Sequence, residues 1–150
     1  MPRYMLDTDI SSYVMGRKNQ AVMKRFENTP VAEMCISVIT RAELAFGMQI
    51  HPNKHQASLA LEDYLKYIEV LDLPSEAAID YGEIRADLKV KGFLIGANDL
   101  LIAAHARHLN LVLVTNNIRE FKRVQGLKLD RKSTRLNSSH GGISRMPSSA

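Results

Sequence analysis

The chain has one cysteine and no tryptophan among its 150 residues. Cys35 therefore has no partner for an internal disulfide. Its setting, Met34-Cys35-Ile36-Ser37-Val38, marks a small core residue. No apolar run approaches the roughly 18–20 residues a membrane span needs. The N-terminus also lacks the long apolar stretch of a signal peptide, so a cytoplasmic protein with no membrane partner is expected. No glycine-rich phosphate loop is present; Gly92 and Gly96 stand alone. What the chain does have is 45% hydrophobic and 24% charged residues, which exclude wholesale disorder and fit one soluble domain.

Acidic residues are absent from 131–150, which holds Arg131, Lys132, Arg135 and Arg145. Of 20 basic residues these four leave 16, against 16 acidic residues, all within 1–130. The net charge of +4 thus belongs to the tail and carries no inference about nucleic-acid affinity. The same stretch contains six serines and no periodicity, and it cannot bury enough surface to offset its ordering entropy. The string from Asp130 to His140, and Ser144 to Ala150 in a shifted frame, resembles translated sequencing adapter. Residues 131–150 are accordingly expected to be a non-native disordered tail, with Asp130 at the boundary and the natural C-terminus missing.

Residues 1–130 alternate apolar runs with helical patterns. Strands are expected at 3–6, 34–38, 69–73 and 111–115, the last being the clearest. Helices are expected at 19–28, from Thr40 to about Ile50, at 54–68, at 75–91 with Gly92 as C-cap, and from Asn98-Asp99 through Ala104. Two short elements follow, at 118–124 and 127–129. Continuous apolar strands separated by helices indicate an α/β fold: a three-layer α/β/α sandwich with a central parallel sheet. Ligands in such folds bind beyond the carboxyl ends of the strands.

Polar residues cluster at those ends. Asp7 and Asp9 follow the first strand, Glu43 lies just beyond the second, Asp99 opens a central helix, and Thr115-Asn116-Asn117 ends the strand from Leu111. Each has a structural reading. Asp7 and Asp9 suit helix caps, Glu43 could close a capping box with Thr40, Asp99 could complement a helix dipole, and Thr115 and Asn117 suit a turn. Capping gives no reason for acids to follow several strand ends. Converging carboxylates repel and raise one another's pKa unless a cation neutralises them, and oxygen-only ligands favour Mg²⁺ or Mn²⁺. The pairs His51/His55 and His105/His108 have zinc-compatible spacing but no third ligand nearby, so they read as surface or packing residues. Cys35 has no obvious histidine partner for a nucleophilic role.

Four blocks carry a resemblance: Met5-Leu6-Asp7-Thr8-Asp9, Ile36 to Gly47, Ile95 to Ala106, and Leu113 to Phe121. In this order and spacing they resemble the VapC-type PIN-domain ribonuclease toxins over residues 4–129. That resemblance implies a PIN-like domain over 1–130 and Mg²⁺-dependent (or Mn²⁺-dependent) hydrolysis of RNA phosphodiester bonds, in tRNA or rRNA. It also implies a homodimer held inactive by a VapB-type antitoxin. By position, Asp7, Glu43 and Asp99 match the metal-binding acids, and Asn117 stands where a fourth acid is common. Thr115, Thr8 and Glu120 would support the site, and Asp9 has no assigned role. Asn117 brings no charge, so it would coordinate through its amide oxygen only, and occupancy of a second metal position turns on it. Two rivals remain open. Asp7-Thr8-Asp9 also resembles the opening motif of haloacid-dehalogenase-type phosphatases, and a non-catalytic PIN-like module would keep the acids as caps.

Overall fold

The computed structural model describes residues 2–130; Met1 and the expected tail, 131–150, lie outside the described residues. The first strand, β1 (Tyr4–Leu6), runs into α1 (Thr8–Gly16) and α2 (Gln20–Glu27). A single 3-10 turn, Val31–Glu33, precedes β2 (Met34–Ser37), α3 (Val38–Gln49), α4 (Lys54–Tyr67) and β3 (Glu69–Leu71). Then come α5 (Ala77–Lys91), α6 (Ala97–His108), β4 (Val112–Val114), α7 (Ile118–Phe121) and β5 (Lys128–Leu129).

The five strands form one sheet in the order β3-β2-β1-β4-β5, and every pairing is parallel. Successive side chains point to opposite faces, and the apolar runs divide accordingly. Met5, Cys35 and Leu113 pack on one face with Ile84, Leu88, Ile102 and Phe121. Leu6 and Ile36 pack on the other with Ile10, Val22 and Tyr64. Helices α5, α6 and α7 thus cover one face and α1 to α4 the other, which gives the expected three layers. Buried on both sides, the strands need apolar residues at every position, hence runs rather than alternation. Truncating fully buried Leu113 to alanine would cost about 2–5 kcal/mol.

The caps explain where helices begin. Asn19 and Asn53 accept from Val22 N–H at 3.1 Å and Gln56 N–H at 3.2 Å, opening α2 and α4. Helix α3 starts three residues earlier than the Thr40 pattern suggests. Ser37 Oγ accepts from Ile39 N–H at 3.0 Å, and Thr40 lies fully buried in the first turn. Thr40 and Glu43 therefore do not form a capping box, and Glu43 is free for another task. At the other end of the long helix, Gly92 takes φ 78°, the left-handed conformation that ends α5 as expected.

Cys35 is fully buried, and desolvation pushes its thiol up to about 12, so it has no nucleophilic role. Three of the four paired histidines are engaged within the fold. His51 Nδ1 accepts from Asn53 N–H, and His108 pairs with Asp80. His105 is buried against Ser37 Oγ at 2.8 Å, and burial holds its pKa below the usual value.

Candidate active site

The chain passes from β1 to β2 and β3 on one side, then returns to place β4 on the other. The order reverses between β1 and β4, and this is where an open parallel sheet leaves a crevice beyond its strand ends. Asp7 sits there, its backbone N–H donating to Val114 O at 3.0 Å. Its side chain is only 4% exposed. Oδ1 accepts from Ile10 N–H at 2.9 Å, capping α1, and Oδ2 accepts from Thr115 Oγ1 at 2.5 Å. Asp7 is therefore both cap and site residue, and each of its oxygens keeps a lone pair for a further ligand.

Thr115 is the hinge of the β4 side. Fully buried, its hydroxyl donates to Asp7 and accepts from Asn117 N–H at 2.9 Å. Asn117 Nδ2 in turn donates to Glu120 Oε1 at 2.9 Å. A carboxylate can only accept here, so this bond fixes the amide and leaves Asn117 Oδ1 as an outward acceptor.

The neighbouring strand supplies Glu43 through α3. Its Oε1 accepts from the Thr8 hydroxyl, and Oε2 accepts from Asn98 Nδ2 at 3.1 Å. Glu43 thereby ties α1 to the first turn of α6, which carries Asp99. Asn98 was not among the expected site residues; its only signal in the sequence is that it precedes Asp99.

The electrostatics show how far these acids converge. Burial, opposed by the Thr115 and Ile10 hydrogen bonds and reinforced by Asp9 and Asp99, raises Asp7 to about 7. Asp99 is raised to about 6 by burial and by the charges of Glu120, Glu43 and Asp9. Asp9 is raised by burial, then by Glu43 and Glu120. Every charge acting on these three groups is another carboxylate. Asp7, Asp9, Glu43, Asp99 and Glu120 thus share one edge without a compensating cation among the groups that shift them. Among the described residues no three His, Cys, Asp or Glu side chains stand in a ready-made metal cage. Glu43 is turned toward Thr8 and Asn98 instead. The all-oxygen, mutually repelling donor set fits a hard divalent cation that would draw the acids in.

Comparisons with known proteins show the family. The PIN domain family model matches residues 4–127. Ribonuclease VapC2 of Haemophilus influenzae is 42% identical over 130 residues, covering 87% of this chain and 98% of the relative. The tRNA(fMet)-specific endonuclease VapC of Salmonella typhimurium is 39% identical over 132 residues, again covering 87% and 98%. Among solved structures, DNA-bound VapBC from Salmonella typhimurium superposes with TM-score 0.81 at 38% identity, covering 87% of this chain and 98% of that one. Neither the phosphatase nor the non-catalytic alternative finds support in these matches. A parallel sheet with buried Asp7 and Thr115 at its switch point, Glu43 and Asp99 beside them, and this similarity along nearly the whole of each relative place the chain in the VapC family of PIN-domain ribonucleases.

Proposed function

We propose that this chain cuts structured RNA, tRNA foremost, by hydrolysis at the Asp7–Asp99 edge with a divalent cation, Mg²⁺ or Mn²⁺. The observation that carries the reading is the convergence of Asp7, Asp9 and Asp99, each raised by neighbouring carboxylates that include Glu43 and Glu120, at the switch point of the sheet. The name of the Salmonella relative supports tRNA as substrate.

Asp7 and Asp99 are the principal ligands, and Glu43 ligates the cation or orients the attacking water. Thr115 holds Asp7 in register, and Asn117 offers a neutral oxygen beside Glu120. A bound cation would lower the pKa of the attacking water and offset charge on the phosphate oxygens. The residues do the rest. Thr8 and Asn98 hold Glu43 at the opening, and burial of Asp7 keeps bulk water from its carboxylate. The water oxygen bonds to phosphorus as its proton passes to the carboxylate edge. The bond to the 3′ oxygen breaks, and that oxygen takes a proton from solvent to leave as a 3′ hydroxyl.

The likeness to VapBC complexes supports a VapB-type antitoxin as regulator; a homodimer is the working state in this reading. The described residues contain no helix long and apolar enough to cross a membrane. Residues 1–130 form the nuclease domain in this reading, and 131–150 play no part in it. The test is to map RNA ends produced by the purified protein with and without Mg²⁺. Discrete cuts that vanish in Asp99→Asn support the proposal. A preference for p-nitrophenyl phosphate over RNA overturns it.

A further inference from the structure

At the rim of the acidic edge Phe93 and Arg123 make a contact that carboxylate chemistry does not require. Gly92 ends α5, and Phe93 N–H donates to Leu88 O at 2.9 Å, which closes the helix and turns the chain outward. The Phe93 ring remains 48% exposed, and the Arg123 guanidinium sits 4.3 Å from its centroid. The two residues come from the segments that deliver Asp99 and Glu120. Phe93 is three residues from Gly96, where an added Cβ would lie 3.8 Å from Asp99 Oδ2. Three residues reach at most about 11 Å. On the opposite side, Arg123 N–H donates to Glu120 O at 3.3 Å.

Arg119, Lys122 and Arg123 fall within five residues of one another beside this ring. They carry no ion pair among the described residues, although residues 1–130 are neutral overall. A cluster of acids repels an RNA backbone, so the polyanion must be held by cations beside it. A guanidinium on an aromatic ring also offers a flat π surface, on which any unpaired base stacks.

We propose that Phe93 and Arg123 form a stacking platform for an unpaired nucleobase next to the scissile phosphate, with Arg119 and Lys122 holding the flanking phosphates. The inference rests on the ribonuclease reading and adds to it the two side chains that would grip a base of the substrate. Three cations within five residues suit a polyanion better than an apolar protein contact, so RNA is the occupant.

The test uses the full chain and its Phe93→Ala, Phe93→Leu, Phe93→Trp and Arg123→Gln variants. Binding of a fluorescein-labelled 12-nucleotide single-stranded RNA is followed by anisotropy in EDTA, and cleavage is followed in Mg²⁺. Phe93→Ala and Phe93→Leu should each weaken binding about ten-fold, the scale of one lost base stack. KM should rise to match, with kcat within two-fold, and Phe93→Trp should restore both. Arg123→Gln should lower affinity and flatten its salt dependence. Leucine keeps the apolar surface without the π face, so full activity in Phe93→Leu overturns the proposal. Unchanged RNA affinity in Phe93→Ala does the same, including when sedimentation shows that the variant has lost self-association. A parent that cleaves no RNA with any divalent cation overturns the ribonuclease reading itself.

Discussion

The Thr115 hydroxyl donates to Asp7 Oδ2 at 2.5 Å, joining the ends of β4 and β1 across the switch point of the sheet. One oxygen atom thus sets the carboxylate of one strand and, through Asn117 N–H, the loop of the other. Thr115→Val keeps the shape and removes both bonds. It should cost about 1–3 kcal/mol in chemical denaturation, because Asp7 and the Asn117 amide lose their partner. The lost bond is one that lowers the Asp7 pKa, so Thr115→Val should also need more Mg²⁺ for half-maximal RNA cleavage. Thr115→Ser should stay close to the parent.

Asp7 makes stability depend on pH in the chelated protein. Its pKa is about 7 when folded and 3.8 when exposed, so the folded state holds the proton more tightly. The contribution is full below about pH 3.8 and is lost as pH rises through 7, to the extent of a few kcal/mol (about 1.4 per unit). Asp7→Asn removes it. In EDTA, the Tm of Asp7→Asn relative to the parent should therefore climb between pH 5 and pH 8. Added Mn²⁺ should stabilise the parent more at pH 8 than at pH 5.5, since protons compete for the same oxygens. A difference that is flat with pH would contradict a buried, proton-holding Asp7.

Asp130 is tied into the described fold. Its N–H donates to Leu113 O at 3.0 Å, and its buried carboxylate pairs with Arg25 from α2. Asp130 therefore belongs to the fold rather than to the tail. Removal of 131–150 should leave kcat/KM and Tm no lower than those of the full chain. Asp130→Ala should lower stability by about 1–3 kcal/mol, because Arg25 is left partly buried beside a vacated partner.

Much of this was legible in the sequence because it is local. Apolar runs such as Leu111 to Val114 give the strands, Gly92 gives a helix end, an acid after a strand gives Asp7, and an acid opening an apolar helix gives Asp99. The start of α3 was not legible. Thr40 and Glu43 satisfy a capping pattern, but Ser37 wins because its hydroxyl also meets His105 on α6, 68 residues away. The partners of Glu43 are equally remote. Thr8 and Asn98 lie 35 and 55 residues from it in the chain, and only the folded sheet edge brings them together. Asp9 shares with Asp7 the local mark of following a strand, but its nearness to Glu43 and Glu120 comes only from the fold.

Everything functional depends on the carboxylate edge serving a cation that cuts RNA. Purified tRNA incubated with the chain in EDTA, then with Mg²⁺ or Mn²⁺ restored, puts that to the test alongside Asp7→Asn and Asp99→Asn of confirmed fold. Cleavage should appear only with the cation and fall by at least about a hundred-fold in both variants, the scale of a lost group that acts in the transition state. Variants that cut as fast as the parent, or a parent indifferent to EDTA, would contradict the account.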